Sequence, residues 1–317
     1  MEGSRQDREH PRGQLNGGEH QDVSHQAVAA IGVVPTGAAL GAEVCGVDLA
    51  RNLDAAAFAR IEDAFNRHGV IFFRRQNITV EQQIAFARRF GEVEINVNTQ
   101  ACLPGRPEVL LVSNIKENGR YIGLADAGTT WHTDMSAYAC PPRCSILHAI
   151  EVPRAAGGTV LGDTIFASAA AAYDALEPEL KSRLAGKRST HSYLAKMNAR
   201  KAAVGLTREV TREHLEKTPP VAHPIFRTHP VTGRKCIYVT EGECTGIEGM
   251  AEVEALQLVS GLHRHLIDPR FQYRHRWQAG DLLMWDNCTC QHLAVRDYGE
   301  NQRRLMHRVT VNGTVPF

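Results

Sequence analysis

Two histidines and one aspartate carry the strongest chemical signal in this sequence. His132 and Asp134 stand two residues apart in the segment GTTWHTDMS. In an extended strand, residues i and i+2 point to the same face, so both side chains could ligate one metal ion. A third ligand must come from another part of the chain. The best candidate is His292, which lies just beyond the apolar segment DLLMW.

Two histidines and one carboxylate on one side of an ion leave neighbouring coordination positions open. This arrangement suits high-spin Fe(II) in non-haem oxygenases, where the open positions take O₂ and a chelating 2-oxo acid. Such an acid needs a cationic anchor. Arg304 and Arg308 lie four residues apart in a segment that we interpret as a strand, so both guanidinium groups would project from one face towards carboxylates. His307 would face the opposite way, and we predict a structural role for it.

Each of these residues also has an ordinary interpretation. A lone histidine near an apolar strand is more often a satisfied structural residue, and most arginines are exposed. The alternative from a different functional class is a cupin-like metal-binding protein without oxygenase activity. Structural metal sites are generally closed by a fourth protein ligand and need no pair of arginines. The two arginines therefore favour an enzyme.

The elements that must position these residues are predicted to be mostly β-strands. An amphipathic helix ending at Gly69, a strand at 70–73, and a helix from the capping box at Thr79 to Gly91 come first. Two further helices are predicted near 168–176 and 251–267. After residue 108, short turn-bounded strands are predicted at 109–114, 144–152, 159–167, 187–193, 223–230, 236–242, 271–278, 281–287 and 305–313. This succession favours a sandwich, jelly roll or barrel over alternating βαβ units.

Length and composition indicate a globular protein. The chain has 317 residues, of which 43% are hydrophobic and 22% charged, so it can bury a substantial core. Residues 1–28 carry almost no large apolar side chain, and we predict that they form a flexible polar tail ahead of a single domain at 29–317. The net charge of +1 without a basic or acidic block argues against nucleic acid or a membrane surface as a partner.

The eight cysteines point to a reducing compartment. None of them forms a CxxC pair, and the spacings at Cys140/Cys144 and Cys288/Cys290 do not match structural zinc sites. We find no signal peptide and no apolar run of about 18 residues. We therefore expect reduced thiols and a cytoplasmic protein.

The order of several motifs resembles the taurine dioxygenase and 2,4-dichlorophenoxyacetate dioxygenase (TauD/TfdA) family of Fe(II)/2-oxoglutarate enzymes. The resemblance extends from about residue 31 to the C-terminus. The motifs that carry it are WHTD, GDTIFAS, WDNCTCQH and RRLMHRVTV, supported by FARRFGE, AAYDAL, FRTHPVTGRK and RWQAGDLLMWDN. Together they are highly specific, although each alone is not. The resemblance implies a mostly β fold with flanking helices, namely a double-stranded β-helix or cupin-like jelly roll.

The resemblance also implies roles for six residues. His132, Asp134 and His292 would be the catalytic iron ligands. Arg304 would bind the distal carboxylate of 2-oxoglutarate, and the Thr164 hydroxyl would add a hydrogen bond to it. Arg308 would lie near the C1 carboxylate of 2-oxoglutarate and near the anionic group of the substrate. The cofactor set is then Fe(II), with 2-oxoglutarate and O₂ as co-substrates.

The implied reaction is hydroxylation of an sp³ carbon in a small anionic substrate, with release of succinate and CO₂. Asp134 favours hydroxylation, because related halogenating enzymes lack this carboxylate. If the carbon bears a sulfonate, sulfate ester, aryloxy or phosphoester group, the hydroxylated product can collapse and release that group. The alternative is stable hydroxylation of an amino acid or biosynthetic intermediate. Relatives often form dimers or tetramers, so a homodimer or homotetramer is expected.

Three positions depart from taurine dioxygenase. Asn96 and Thr99 stand where that enzyme has histidine and tyrosine, and Gly128 stands at an asparagine position. The polar contacts expected for an aminoalkyl sulfonate are therefore missing, and taurine is disfavoured as the substrate. The segment RAAGGTVLGDT is also longer than the GGDT form common in the family. Because loops of this kind commonly decide specificity, we expect it to contribute to substrate choice.

Overall fold

The computed structural model describes residues 31–96, 99–204 and 210–317. The predicted tail at residues 1–28 lies outside the described residues. The helices are α1 (Ala55–His68), α2 (Val80–Arg88), α3 (Ala169–Asp174), α4 (Pro178–Leu184), α5 (Tyr193–Val204), α6 (Arg212–Lys217) and α7 (Glu252–Leu266). Single-turn 3₁₀ segments occur at Thr99–Ala101 and Pro269–Phe271.

Strands make up most of the remaining regular structure, as the sequence predicts. They are β1 (Gly32–Pro35), β2 (Ala42–Cys45), β3 (Val70–Phe73), β4 (Cys102–Leu103), β5 (Arg106–Ser113), β6 (Lys116–Glu117), β7 (Arg120–Tyr121), β8 (Cys144–Glu151), β9 (Thr164–Ser168), β10 (Arg188–His191), β11 (Val221–Pro224), β12 (Phe226–Thr228), β13 (Lys235–Ile237), β14 (Cys244–Ile247), β15 (Gln272–His275), β16 (Leu282–Asp286), β17 (Cys290–Ala294) and β18 (Leu305–Val311).

Two sheets facing each other form the jelly roll. The larger sheet has the order β1-β2-β3-β16-β8-β18-β5-β4, and the smaller has the order β15-β9-β17. Apolar side chains from both sheets, including Phe72, Trp285 and Met306 from the larger and Phe166 from the smaller, form one buried cluster. The predicted double-stranded β-helix with flanking helices is therefore confirmed.

The outer face of the larger sheet packs on the first two helices. Ile146 and Val309 from this face join Ile61 and Phe65 of α1 and Phe86 of α2 in a second buried cluster. Side chains alternate along a strand, so the neighbours of these residues point into the jelly roll. On β18 this rule sends Arg308 inward and His307 outward, where His307 pairs with His148 of β8.

The helix starts follow local capping chemistry. The Asp54 carboxylate accepts a hydrogen bond from the Ala57 backbone N–H at the start of α1, and α1 ends at Gly69 with φ +67°. Thr79 and Gln82 form the predicted capping box of α2. That helix ends at Arg88, however, so the prediction that it extends to Gly91 is wrong.

Other boundaries also differ from the prediction. The strand predicted at 159–167 begins only at Thr164, and the strand predicted at 223–230 is divided into β11 and β12 at Ile225. Arg304 precedes β18 instead of lying within it. Helices α4, α5 and α6 were not predicted, because their apolar positions are too sparse to mark a buried face. No helix among the described ranges is long and apolar enough to cross a membrane.

Candidate active site

The three predicted metal ligands meet inside the jelly roll. His292 lies on β17, and His132 forms an isolated antiparallel bridge with it, in which each backbone N–H donates to the other residue's carbonyl at 3.1 and 2.8 Å. Asp134 follows two residues later. One ligand atom from each of the three side chains lies within 4.8 Å of the other two, and all three residues are buried.

Hydrogen bonds orient two of these side chains towards a common point. His132 donates from Nδ1 to the Thr130 carbonyl at 2.8 Å, which leaves the Nε2 lone pair 3.6 Å from Asp134 Oδ1. The other carboxylate oxygen of Asp134 accepts a hydrogen bond from Ser145 Oγ at 2.6 Å. With one atom of each group fixed, His132 Nε2 and Asp134 Oδ1 face each other where a cation could bind, and Arg308 Nη1 also lies 3.4 Å from Asp134 Oδ1.

The protonation states of this group suit a metal ion. Burial by itself would raise the pKa of Asp134, but Arg308 and the two imidazoles reverse this and hold that pKa well below its ordinary value. Burial, and then the charges of His132 and Arg308, hold the pKa of His292 well below its ordinary value. His292 Nδ1 is buried without a hydrogen-bond partner. The donor set therefore includes the ionised carboxylate of Asp134 and the neutral imidazole of His292, which are ligands that Fe(II) accepts.

The coordination shell supplied by the protein is incomplete. In the described part of the chain, the group of candidate ligands contains His132, Asp134 and His292 and no fourth histidine, cysteine or acidic side chain. Three protein ligands leave room for exogenous ligands, as catalytic sites do and closed structural sites do not. This observation disfavours the alternative of a purely structural metal site.

The remaining predicted residues lie beside this group. Thr164, Arg304 and Arg308 line the same cavity as His132 and His292. Thr164 lies on β9 opposite Ala294 of β17, and its hydroxyl accepts a hydrogen bond from Trp277 Nε1 at 3.0 Å. The hydroxyl hydrogen of Thr164 is therefore free to be donated to a ligand.

Arg304 is a buried cation held by a tight local fit. The residue is 3% exposed, and its Nη1 donates to the Gly162 carbonyl. Gly162 has φ +75°, and a β-carbon there would collide with this guanidinium, so glycine is required for the approach. Burial lowers the pKa of Arg304. Among the described residues no carboxylate forms an ion pair with Arg304, so its charge is available to an anion.

Sequence reasoning missed three charged residues near the metal ligands. Glu94 lies close enough to Arg308 and Asp134 to interact electrostatically, and burial raises its pKa. Glu243 is 3% exposed and pairs with Lys196 Nζ at 2.7 Å. No motif marks these positions in the sequence, because the chain brings them to the site only through the tertiary fold.

The structure shows the contacts of the three residues that differ from taurine dioxygenase. The Asn96 side chain donates to the Pro107 carbonyl at 2.8 Å, so its amide is committed to the backbone. Thr99 is exposed and begins a 3₁₀ turn that ends at the buried Ala101. Gly128 lines the cavity with φ +76°, and a β-carbon there would lie 3.3 Å from Ala294. These contacts do not assign a substrate, and the exclusion of taurine stays a prediction.

Comparison with known proteins agrees with this geometry. The family described as "Taurine catabolism dioxygenase TauD, TfdA family" matches residues 32–310. The chain is 33% identical over 281 residues to pentalenolactone F synthase of Streptomyces arenae, covering 86% of this chain and 92% of that protein. It is 34% identical over 272 residues to the alpha-ketoglutarate-dependent 2,4-dichlorophenoxyacetate dioxygenase of Burkholderia sp. (strain RASC), covering 82% and 87%. It is 33% identical over 296 residues to the alpha-ketoglutarate-dependent sulfate ester dioxygenase of Pseudomonas putida, covering 90% of each chain.

Solved structures show the same relationship. A taurine dioxygenase from Burkholderia xenovorans superposes with a TM-score of 0.73 at 33% identity, covering 90% of this chain and 92% of that one. AAD-2 in complex with Mn(II) and N-oxalylglycine superposes with a TM-score of 0.74 at 32% identity, covering 90% and 98%. This chain therefore belongs to the TauD, TfdA family and is an Fe(II)- and 2-oxoglutarate-dependent dioxygenase.

Proposed function

We propose that the enzyme hydroxylates an sp³ carbon of a small organic anion, with His132, Asp134 and His292 as its iron ligands. The observation that carries this proposal is the convergence of these three ligand atoms within 4.8 Å, on a cavity that Arg304 and Arg308 also line. When bound, Fe(II) with 2-oxoglutarate supplies the O₂ activation that oxidises the carbon and gives succinate and CO₂. The protein holds the reactants in place and keeps water away.

Arg304 and Thr164 are proposed to hold the distal carboxylate of 2-oxoglutarate. Arg304 offers a buried guanidinium without a carboxylate partner in the described part of the chain, and a planar fork suits bidentate carboxylate binding. Thr164 already accepts a hydrogen bond from Trp277, so its own O–H remains available to donate to the ligand. These two donors would fix the end of the co-substrate that is remote from the metal.

Arg308 is proposed to lie between the metal centre and the substrate. Its Nη1 is 3.4 Å from Asp134 Oδ1, and its Nε is buried without a hydrogen-bond partner. The first contact helps to keep Asp134 ionised as a ligand. The remaining donors can pair with the C1 carboxylate of 2-oxoglutarate or with the anionic group of the substrate.

The substrate class is proposed from this cation together with the relatives. Two of the related enzymes act, by their names, on 2,4-dichlorophenoxyacetate and on sulfate esters, which are small anions with a heteroatom beside an sp³ carbon. Hydroxylation at that carbon would release the heteroatom group. The second candidate is stable hydroxylation of an amino acid or biosynthetic intermediate, and the similarity to pentalenolactone F synthase supports it.

A substrate panel tests both candidates. Anaerobically loaded enzyme is given Fe(II), 2-oxoglutarate, ascorbate and O₂ with phenoxyacetates, alkyl sulfates or carboxylated lactones, and substrate-dependent succinate is measured. We expect one anionic class to stimulate succinate formation, and the product's mass to show either fragmentation or retained hydroxyl. No stimulation by any anion, combined with stimulation by a neutral analogue, would refute the anionic class.

The Arg308→Ala variant tests the pairing directly. Because Arg308 also contacts Asp134, substrate-independent 2-oxoglutarate turnover is measured alongside to detect damage to the metal centre. We expect KM for the anionic substrate to rise much more than KM for its neutral amide analogue. An equal change for both substrates would remove Arg308 from substrate binding.

We also propose that the enzyme works in the cytoplasm as a homodimer or homotetramer. The supporting observation for the compartment is that all eight cysteines are free thiols.

The proposed oligomeric state rests on the family resemblance alone. Light scattering coupled to size exclusion measures it, and a monomer at micromolar concentration would contradict it.

A further inference from the structure

A second cavity lies apart from the metal centre, at the ends of β12, β16 and β18. Its volume is about 270 Å³, close to the lower end of the range of small-molecule pockets, roughly 300–1,000 Å³. Two arginines and a carboxylate, Arg143, Arg227 and Asp286, line it together with the apolar side chains of Phe90, Pro230 and Val231. None of the proposed iron or 2-oxoglutarate ligands borders it.

Arg227 is the unusual residue of this cavity. It is 2% exposed, and its Nε and Nη1 atoms are buried without a hydrogen-bond partner. Within the described ranges no acidic group forms an ion pair with it. Its guanidinium carbon stands 5.0 Å from the centre of the Tyr238 ring, and Asp286 adds a favourable electrostatic interaction. A buried charge without hydrogen bonds is costly, so a group that can accept them is expected beside it.

The nearest carboxylate on the cavity wall is already committed. Asp286 accepts a hydrogen bond from His229 Nε2 at 2.6 Å, and its second oxygen accepts from the Cys288 backbone N–H at 2.6 Å. His229 Nδ1 accepts hydrogen bonds from the backbone N–H groups of Val231 and Thr232. His229 therefore donates from Nε2 to Asp286, and neither residue satisfies the Nε or Nη1 donors of Arg227.

The second arginine is committed as well. Arg143 donates from Nη1 to the Phe90 carbonyl at 2.7 Å and from Nη2 to Glu62 at 3.0 Å. Of the two arginines, Arg227 alone is left to pair with a ligand, and Asn312 and Thr314 add only uncharged polar groups to the wall. The cavity therefore matches one negative charge better than the two charges of a phosphate. The other walls at Phe90, Pro230 and Val231 are apolar.

From these contacts we propose that the cavity binds a monocarboxylate with an apolar or aromatic body, its carboxylate on Arg227 and its body against Phe90, Pro230 and Val231. This site is separate from the catalytic cavity and does not depend on the proposed substrate. The guanidinium supplies the carboxylate with N–H donors that have no hydrogen-bond partner in the protein. The apolar walls bury the hydrophobic part of the ligand.

The test uses benzoate as the probe and the full-length Mn(II)-loaded protein, titrated by calorimetry. Four variants are compared with the wild type: Arg227→Met, Arg227→Lys, Val231→Trp and Arg304→Met. Val231 is 57% exposed, so a tryptophan there narrows the cavity without disturbing the core. Arg304→Met disables the proposed 2-oxoglutarate anchor and controls for benzoate in the catalytic cavity.

We expect benzoate to bind the wild type and Arg304→Met within about twofold of each other, and benzyl alcohol to bind neither. Arg227→Met and Val231→Trp should each weaken benzoate binding about tenfold or more, with partial recovery in Arg227→Lys. Loss of binding in Arg304→Met alone, or no binding to the wild type at about 10 mM benzoate, would overturn the proposal. If Arg227→Met does not fold, Val231→Trp decides the question by itself, and its succinate formation should equal that of the wild type.

Discussion

Replacing Lys196 with methionine should destabilise the enzyme, because the buried carboxylate of Glu243 would lose its counter-charge. Lys196 of α5 is paired with Glu243 at 2.7 Å, and the two side chains are 16% and 4% exposed. Glu243 also accepts a hydrogen bond from Ser136 Oγ at 2.5 Å, two residues after the ligand Asp134. Without Lys196, a buried carboxylate beneath the metal-binding loop has lost its counter-charge.

The magnitude follows from the burial of the pair. Breaking a buried ion pair on one side costs about 3–5 kcal/mol. Because Lys196 retains 16% exposure, water can reach part of the site, and we expect a loss of about 3 kcal/mol in the free energy of unfolding. The double variant with Glu243→Gln should recover most of this loss, since it removes the uncompensated charge.

The effect should also depend on pH. Burial by itself would raise the pKa of Glu243, but Lys196, His132 and Ser136 lower it below its ordinary value. In the wild type this pair therefore stabilises the fold above pH about 4.3, and the contribution is lost as pH falls through the lowered pKa. In Lys196→Met the largest lowering contribution is removed while the burial penalty remains, so we expect the pKa of Glu243 to be higher than in the wild type. Protonation of Glu243 should then reduce the destabilisation of the variant as pH falls. The stability difference between the two proteins should narrow from pH 7.5 to pH 5.

Urea unfolding followed by circular dichroism measures these free energies for the wild type, Lys196→Met, Glu243→Gln and the double variant. Lys201→Met, at an exposed position of the same helix, is the matched control and should change stability by less than about 0.5 kcal/mol. A loss below about 1 kcal/mol in Lys196→Met, or a double variant less stable than both single variants, would refute the reasoning.

Three further changes have defined outcomes. Arg304→Lys should raise KM for 2-oxoglutarate about tenfold in a succinate assay, because an ammonium cannot reproduce the bidentate fork. His307→Gln should leave activity unchanged and reduce the loss of stability on acidification, measured by urea unfolding at pH 7 and pH 5. Burial lowers the pKa of His307 to about 4, so the unfolded chain takes up a proton between about pH 6.5 and 4 that the folded chain does not. Gly69→Ala should lower thermal stability, because φ is +67° and the new β-carbon would lie 2.8 Å from a threonine hydroxyl.

Matched controls separate these effects from general damage. Arg303→Lys changes an exposed neighbour of Arg304 that pairs with Glu151, and KM for 2-oxoglutarate should stay within about twofold. Gly249→Ala has a similar backbone strain, with φ +74°, but its new β-carbon would have no atom within 4 Å. Gly69→Ala should therefore lower the free energy of unfolding by about 1 kcal/mol more than Gly249→Ala does. An acid sensitivity of His307→Gln equal to that of the wild type would exclude His307 as a contributor.

Contacts between residues close together in the sequence determine the helix ends and the strand faces of this protein. The capping box at Thr79 and the glycine at 69 set helix ends through contacts within a few residues, so the sequence alone located them. The alternation of apolar residues in 305–311 likewise separated the inward Arg308 from the outward His307. The spacing of His132 and Asp134 indicated a metal pair for the same reason. Family motifs supplied Thr164 and supported the choice of His292 and Arg304.

The tertiary structure decided whatever depends on residues far apart in the chain. The bridge between His132 and His292 joins positions separated by 160 residues. The Arg304 guanidinium donates to the carbonyl of Gly162, where a side chain would leave no room for it. The Lys196–Glu243 pair and the unsatisfied guanidinium of Arg227 have no local pattern at all. The energy of a buried charge depends on groups that several elements, distant from one another in the sequence, place around it. The sequence of a single segment therefore does not reveal it.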